Sequence, residues 1–98
     1  MLTSIIRPRA EDDLEEAALW YDKKQLGLGN QFLACVRDTV KKLEQSPDLG
    51  HVVHPRMRRA SVRRFPYGVF YQVAGNQIIV VGVFHARRSS RRWKARLE

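Results

Sequence analysis

Residues 77 to 85 read QIIVVGVFH, and every position from Ile78 to Phe84 is apolar except Gly82. A strand with one solvated face alternates between apolar and polar side chains, whereas a strand buried on both faces does not. The run therefore predicts a central strand over Gln77–His85 that is covered on both sides.

Three further strands are predicted around this one. Thr3–Arg7 contains two β-branched isoleucines and is stopped by Pro8, while Arg58–Phe65 and Gly68–Val73 precede the central run. Turn signals at residues 66–68 and 75–76 join the later strands as neighbouring antiparallel partners. We interpret Asp48–Pro55, which contains His51 and His54, as a loop.

Two helical patterns fill the interval between the first strand and this loop. In residues 9 to 25 apolar side chains recur three and four positions apart, ending in Trp20 and Tyr21, which we expect between the helices and the sheet. Asn30 is the expected N-cap of the second helix, which Ser46-Pro47 ends. The predicted fold is α+β, in the order β-α-α-β-β-β, with a helical hairpin on a mainly antiparallel four-stranded sheet. It forms one domain over residues 1–98, with an Arg-rich C-terminal segment at 86–98, either helical or extended.

Charge is distributed unevenly along the 98 residues, whose net charge is +8. Residues 1–50 carry 7 basic and 9 acidic side chains, a net charge of −2, whereas residues 51–98 carry 11 basic and 1 acidic, a net charge of +10. Ten of these eleven cations are arginines, which favour forked recognition of phosphate or carboxylate. The expected partner is polyanionic, either nucleic acid or an acidic protein, although a high isoelectric point can also serve solubility alone.

Cysteine and histidine give no pattern typical of a metal or disulfide site. Cys35 is single and is interpreted as a small packing residue, and two histidines three positions apart lack further ligands nearby. We expect no cofactor and no metal. No run approaches the roughly 20 apolar residues that span a bilayer, so we expect no membrane association and a cytoplasmic protein.

Several fragments carry a family resemblance, in the same order along nearly the whole chain. They are Ala10-Glu11-Asp12-Asp13-Leu14, Trp20-Tyr21, Gly27-Leu28-Gly29 before Phe32, Ser46-Pro47, Arg64-Phe65-Pro66-Tyr67-Gly68-Val69-Phe70-Tyr71, and His85 followed by Arg87-Arg88 and Trp93. In this respect the chain resembles the RelE/ParE superfamily of bacterial toxins. The resemblance implies the toxin of a type II toxin-antitoxin module, often labelled a plasmid-stabilisation protein, which arrests growth until an acidic antitoxin neutralises it.

The superfamily divides by target, and the resemblance implies different site residues in each branch. RelE-like members cut mRNA in the ribosomal A site. In that branch the catalytic residues would be His85, as the acid or base, and Arg87. Phosphate would be bound by Arg63, Arg64, Arg87 and Arg88. ParE-like members act on DNA gyrase and are not known as nucleases. There the target would meet the Arg/Trp-rich C-terminal segment, with Arg87, Arg88, Arg91, Arg92 and Trp93.

Two departures favour the ParE-like branch. Gly68 stands where RelE-like nucleases tend to carry an arginine, and Trp93 stands where they often have a functional tyrosine. The indole N–H is a hydrogen-bond donor only and does not ionise near neutral pH, so it cannot act as a general base. We therefore expect a ParE-like toxin, with a ribosome-dependent mRNA endoribonuclease as the alternative and a non-toxic nucleic-acid-binding module as the third possibility.

Structural interpretations stand beside these functional ones. His85 would hydrogen-bond a backbone group and fix the exit of its strand, and Trp93 would dock into the domain's own core. The acidic residues of the first helix are interpreted as partners of the helix dipole on a solvated face, rather than as catalytic carboxylates: Glu11, Asp12, Asp13, Glu15 and Glu16.

Overall fold

Five strands and three helices make up the computed structural model, which describes residues 1–87 and 89–97. They are, in chain order, β1 (Thr3–Ile6), α1 (Pro8–Lys24), α2 (Leu28–Gln45), β2 (His51–His54), β3 (Met57–Ser61), β4 (Tyr67–Ala74), β5 (Gln77–His85) and α3 (Ser89–Lys94). Among the described residues no helix has the length and apolar character needed to cross a membrane.

The strands form one sheet in the order β1-β5-β4-β3-β2. β1 runs parallel to β5, and the other neighbours are antiparallel. β5 thus lies inside the sheet, between the first strand and the β3–β4 hairpin, and its boundaries are those predicted. The α+β class and the helical hairpin on a mainly antiparallel sheet are confirmed.

The predicted strand count was wrong, because the sheet has five strands rather than four. The extra strand, β2, lies within the segment interpreted as a loop. The segment that leads into β2 is held by Tyr71 of β4. The Tyr71 hydroxyl donates to the Pro47 carbonyl (2.8 Å) and accepts from the Gly50 N–H (2.9 Å). Arg58 also donates to the Gly50 carbonyl at 2.8 Å. A four-residue edge strand pinned by such tertiary bonds leaves little periodicity in the sequence.

The second helix begins two residues before the predicted N-cap. Gly27, whose φ of 91° lies in the left-handed region, is the N-cap, so Asn30 lies inside the helix. The Gly29 N–H donates to the Asp22 carboxylate at 2.8 Å. A methyl group at Gly29 would collide with the Ala18 carbonyl, so this glycine lets α1 and α2 pack closely.

The face of the sheet covered by α1 and α2, called here the hairpin face, carries the larger core. Its centre is an aromatic cluster in which Tyr21, Phe32 and Phe65 lie with ring centroids 4.9–5.4 Å apart. Tyr21 packs there as predicted. The same prediction was wrong for Trp20, because successive helical residues point in different directions. Trp20 is 52% exposed, and the Lys24 ammonium lies 4.9 Å from the centre of its ring.

The opposite face, called here the α3 face, has a smaller core of Met57, Phe70, Val81 and Phe84. A bulge in β5 supplies part of it: Phe70 pairs with Gly82 and Tyr71 with Val80, so that Val81 has no opposite residue. Ile78 and Val80 face the hairpin, while Val81 and Phe84 face α3. The apolar run of β5 therefore lacks alternation because both faces are covered, as the sequence predicts.

Candidate functional site

The turn between β3 and β4 lies at the same end of the sheet as the exit of β5. Tyr67 pairs with His85, and the Ala86 N–H donates to the Pro66 carbonyl at 2.8 Å. Arg63 and Arg64 are exposed in this turn. Arg64 has a φ of 74° and donates to the Gln31 side chain at 3.1 Å, so its guanidinium is tied back to α2.

A cleft of about 710 Å³ opens between α1, the end of β5 and α3. It brings together three of the predicted site residues: His85, Arg87 and Arg92. Glu16 and Trp20 contribute to its wall from α1. Arg63, Arg64, Arg91 and Trp93 do not line it, and Arg88 lies outside the described residues.

His85 is fixed where β5 leaves the sheet. Its Nδ1 atom accepts the Arg87 N–H at 3.1 Å, and its ring meets Tyr67 edge-on with centroids 5.4 Å apart. With Nδ1 accepting, the neutral ring carries its proton on Nε2. His85 thus makes the hydrogen bond to a backbone group that the structural interpretation predicts. Its Nε2 atom stays available to a ligand.

Asp13, which also lines this cleft, forms an ion pair that the sequence did not predict. Arg96 donates through Nη1 and Nη2 to both carboxylate oxygens of Asp13, at 2.6 and 3.0 Å. The two side chains are only 14% and 11% exposed. The interpretation of Asp13 as part of a solvated helix face was therefore wrong.

The pair forms where β5 loses a neighbour. β1 pairs with β5 only as far as Val80, so the next part of that strand edge has no partner strand. Asp13 accepts the Val83 N–H at 3.1 Å, and Arg96 donates to the Val81 carbonyl at 3.0 Å. Two side chains thus take the place of a strand in satisfying backbone groups.

Asp13 carried a signal that could have identified it. It lies three residues after Ala10 and four before Ala17, both buried, and therefore on the face of α1 that packs against the sheet. A carboxylate on a buried face needs a compensating partner. The sequence cannot indicate which of its 18 basic side chains that partner is.

Trp93 lies on the α3 face, away from the cleft. It is half-buried in α3, and its ring is stacked on Phe70 with a centroid distance of 6.4 Å and an interplanar angle of 14°. Residues 89–94 are helical, which settles the alternative between a short helix and an extended segment. This position matches the interpretation that Trp93 docks into the domain's own core.

No metal centre is indicated by the side chains of residues 1–87 and 89–97, where no three His, Cys, Asp or Glu residues form a suitable group. Cys35 is a free thiol packed against the hairpin-face core. Burial raises the pKa of the Tyr21 and Tyr71 hydroxyls, so these groups stay protonated at neutral pH.

Comparison with known proteins agrees with this architecture. The family model described as "ParE toxin of type II toxin-antitoxin system, parDE" matches residues 5–90. No curated protein matches the chain.

Among solved structures, the chromosomal ParDE toxin-antitoxin system from P. aeruginosa includes a chain that matches with a TM-score of 0.77 and 19% identity, over 87% of this chain and 96% of that one. The isolated E. coli RelE toxin matches with a TM-score of 0.60 and 19% identity, over 97% and 95%. At these identities the structural matches establish a common fold. The family match over residues 5–90 goes further: this chain belongs to the ParE toxin family of type II toxin-antitoxin systems.

Proposed function

We propose that this chain arrests bacterial growth by binding DNA gyrase, and that a cognate acidic antitoxin neutralises it. The observation that carries the proposal is the set of side chains in the cleft. They are suited to binding a partner and poorly equipped for the proton transfers of RNA cleavage.

Cleavage of RNA through its 2′-hydroxyl needs a base to take one proton and an acid to supply another. His85 is the only imidazole in the described part of the cleft. The Asp13 carboxylate is committed to Arg96, and the exposed Glu16 carboxylate would repel a phosphate. The indole of Trp93 cannot replace the tyrosine of RelE-like nucleases, and it is packed on Phe70 away from the cleft.

Binding a protein needs no such set. Trp20 on the cleft wall, together with exposed Arg87 and Arg92, offers the residue types that dominate binding energies at protein interfaces. The net charge of +10 in residues 51–98 supports an acidic antitoxin, whose carboxylates would pair with these arginines.

A RelE-like ribosome-dependent mRNA endoribonuclease is the second candidate. It is favoured by one observation: His85 lines the same cleft as Arg87 and Arg92, two arginines that could hold a phosphate. The shared fold with the E. coli RelE toxin is compatible with either candidate.

Induction of the toxin in bacteria, with mRNA 5′ ends mapped within minutes, separates these candidates. The proposal predicts growth arrest without new codon-phased ends. His85→Gln should leave that arrest essentially intact, whereas loss of a general acid or base would slow a nuclease by about 10²–10⁴-fold. Codon-phased cuts that disappear in His85→Gln would contradict the proposal and establish the nuclease. A thermal melt of the variant controls for folding.

A further inference from the structure

Arg59 lies on the α3 face in the middle of β3. It pairs directly with Phe70 of β4 and with His51 of β2, and directly opposed residues in a sheet point to the same side. The residue is half-buried although it carries a charge.

The Arg59 side chain lies along the sheet and passes over Gly68. A Cβ atom built on Gly68 would stand 2.6 Å from Arg59 Nε and 3.0 Å from its Cγ. Glycine therefore provides the space in which this side chain rests. β3 thus places an arginine side chain over Gly68, the position at which RelE-like nucleases tend to carry an arginine of their own.

The Arg59 guanidinium has no acceptor within residues 1–87 and 89–97. Arg58 and Arg96 are also partly buried, but both have partners. Arg58 donates to the Gly50 carbonyl, and Arg96 is paired with Asp13. No buried side-chain nitrogen or oxygen of the described chain lacks a partner, so the unpaired nitrogens of Arg59 must reach solvent. An anion can therefore reach them.

The strands β2 to β5 around Arg59 carry hydrogen-bond donors and no carboxylate side chain. Residues 51–97 contain no Asp or Glu. His51 of β2 is exposed and lies directly opposite Arg59 in the β2–β3 pair. Ser61 is also exposed and lies two positions after Arg59, on the same face of β3. A planar guanidinium held against a backbone with its donors free is a common arrangement for binding an oxyanion.

We propose that Arg59, flanked by His51 and Ser61, binds a phosphodiester of a nucleic acid on the α3 face. Three donors at separate positions suit an anion with several acceptor oxygens better than a two-oxygen carboxylate. This site goes beyond the proposed function, and its test contains no gyrase, so either proposal can fail without the other.

Fluorescence anisotropy of the full-length protein with a labelled oligonucleotide, single-stranded or duplex, tests the site. Arg59→Gln is expected to weaken binding about 10-fold at about 50 mM salt and to reduce the salt-dependence slope by about 1. Arg37→Gln is the matched control, since it removes the same charge from an exposed position on α2. It should weaken binding by no more than about 2-fold.

Gly68→Ala tests the geometry without changing any charge. The added methyl group would meet Nε, Cγ and Cδ of Arg59, which are all side-chain atoms, and no backbone atom is among these nearest contacts. The sheet should therefore be retained while the Arg59 side chain is displaced. We expect a loss of affinity comparable to that of Arg59→Gln, with an unchanged far-ultraviolet circular dichroism spectrum.

Two results would overturn the site. In the first, Arg59→Gln binds no more weakly than Arg37→Gln, or folded Gly68→Ala binds as tightly as the wild type, and the affinity then comes from diffuse charge. In the second, a poly-glutamate peptide binds more tightly than the oligonucleotide and depends on Arg59. That result would make the surface a receptor for an acidic protein.

Discussion

Among the described residues, the hairpin face of the sheet buries fifteen in its core, whereas the α3 face buries four. Two long helices close the first face, and one six-residue helix lies over the second. The first face thus provides most of the apolar stabilisation, since that stabilisation scales with the area removed from water. The second face carries the half-buried Arg59, and the segment that follows α3 is held to α1 by the ion pair of Arg96 and Asp13.

The largest expected effect is on the hairpin face, at Phe32. Phe32 is fully buried among Tyr21, Phe65 and Tyr67, so Phe32→Ala should lower the free energy of unfolding by about 3–5 kcal/mol. Chemical denaturation measures this loss. A loss below about 1 kcal/mol would mean that the hairpin face is not the main source of stability.

The ion pair of Asp13 and Arg96 is the next test. Asp13→Asn leaves the Arg96 guanidinium without its carboxylate at a site that is only 14% exposed, and we expect a loss of about 3 kcal/mol. Hydrogen exchange should show faster exchange in α3 than in α1 and α2. Asp12→Asn, an exposed neighbour on the same helix, is the matched control. Equal protection of all three helices in Asp13→Asn would contradict the role of the pair in holding α3.

Tyr71 tests the polar contacts that fix β2. Tyr71→Phe removes the acceptor of the buried Gly50 N–H, which should cost about 1–3 kcal/mol. Burial raises the pKa of Tyr71 above its usual value of 10.0, so the unfolded chain loses this proton first. Stability should therefore fall as the pH rises above about 10, and it should fall less in Tyr71→Phe. Thermal melts across this range measure the difference, and an identical pH profile in the two proteins would be the contrary result.

Trp93 should give the smallest effect, because its ring is only half-buried against Phe70. Trp93→Ala should lower the free energy of unfolding by about 1–2 kcal/mol, below the loss for Phe32→Ala. The two variants are compared in the same denaturation experiment. Equal losses of unfolding free energy in the two variants would contradict the larger contribution of the hairpin face to stability.

The sequence predicts the parts of the fold that rest on local pattern. The unbroken apolar run of β5 indicates a strand covered on both sides, and the stripes of α1 and α2 indicate the hairpin. It does not predict β2, whose four residues are held by the distant hydroxyl of Tyr71.

The site is predictable only in part, for a related reason. The segment from His85 to Arg87 follows β5, so its place at the end of the sheet follows from that strand. The pair of Asp13 and Arg96 joins residues 83 positions apart, and no local pattern encodes such a contact. Trp93 lies outside the cleft although its neighbour Arg92 lines it, because successive helical residues point in different directions and the indole packs on Phe70.

The most direct test of the account is DNA supercoiling by purified gyrase in the presence of the purified toxin. We predict inhibition by the wild type, retention of that inhibition in His85→Gln, and its loss in the double variant Arg87→Gln, Arg92→Gln, which alters exposed cleft residues. Full supercoiling activity at saturating wild-type toxin would contradict the gyrase proposal.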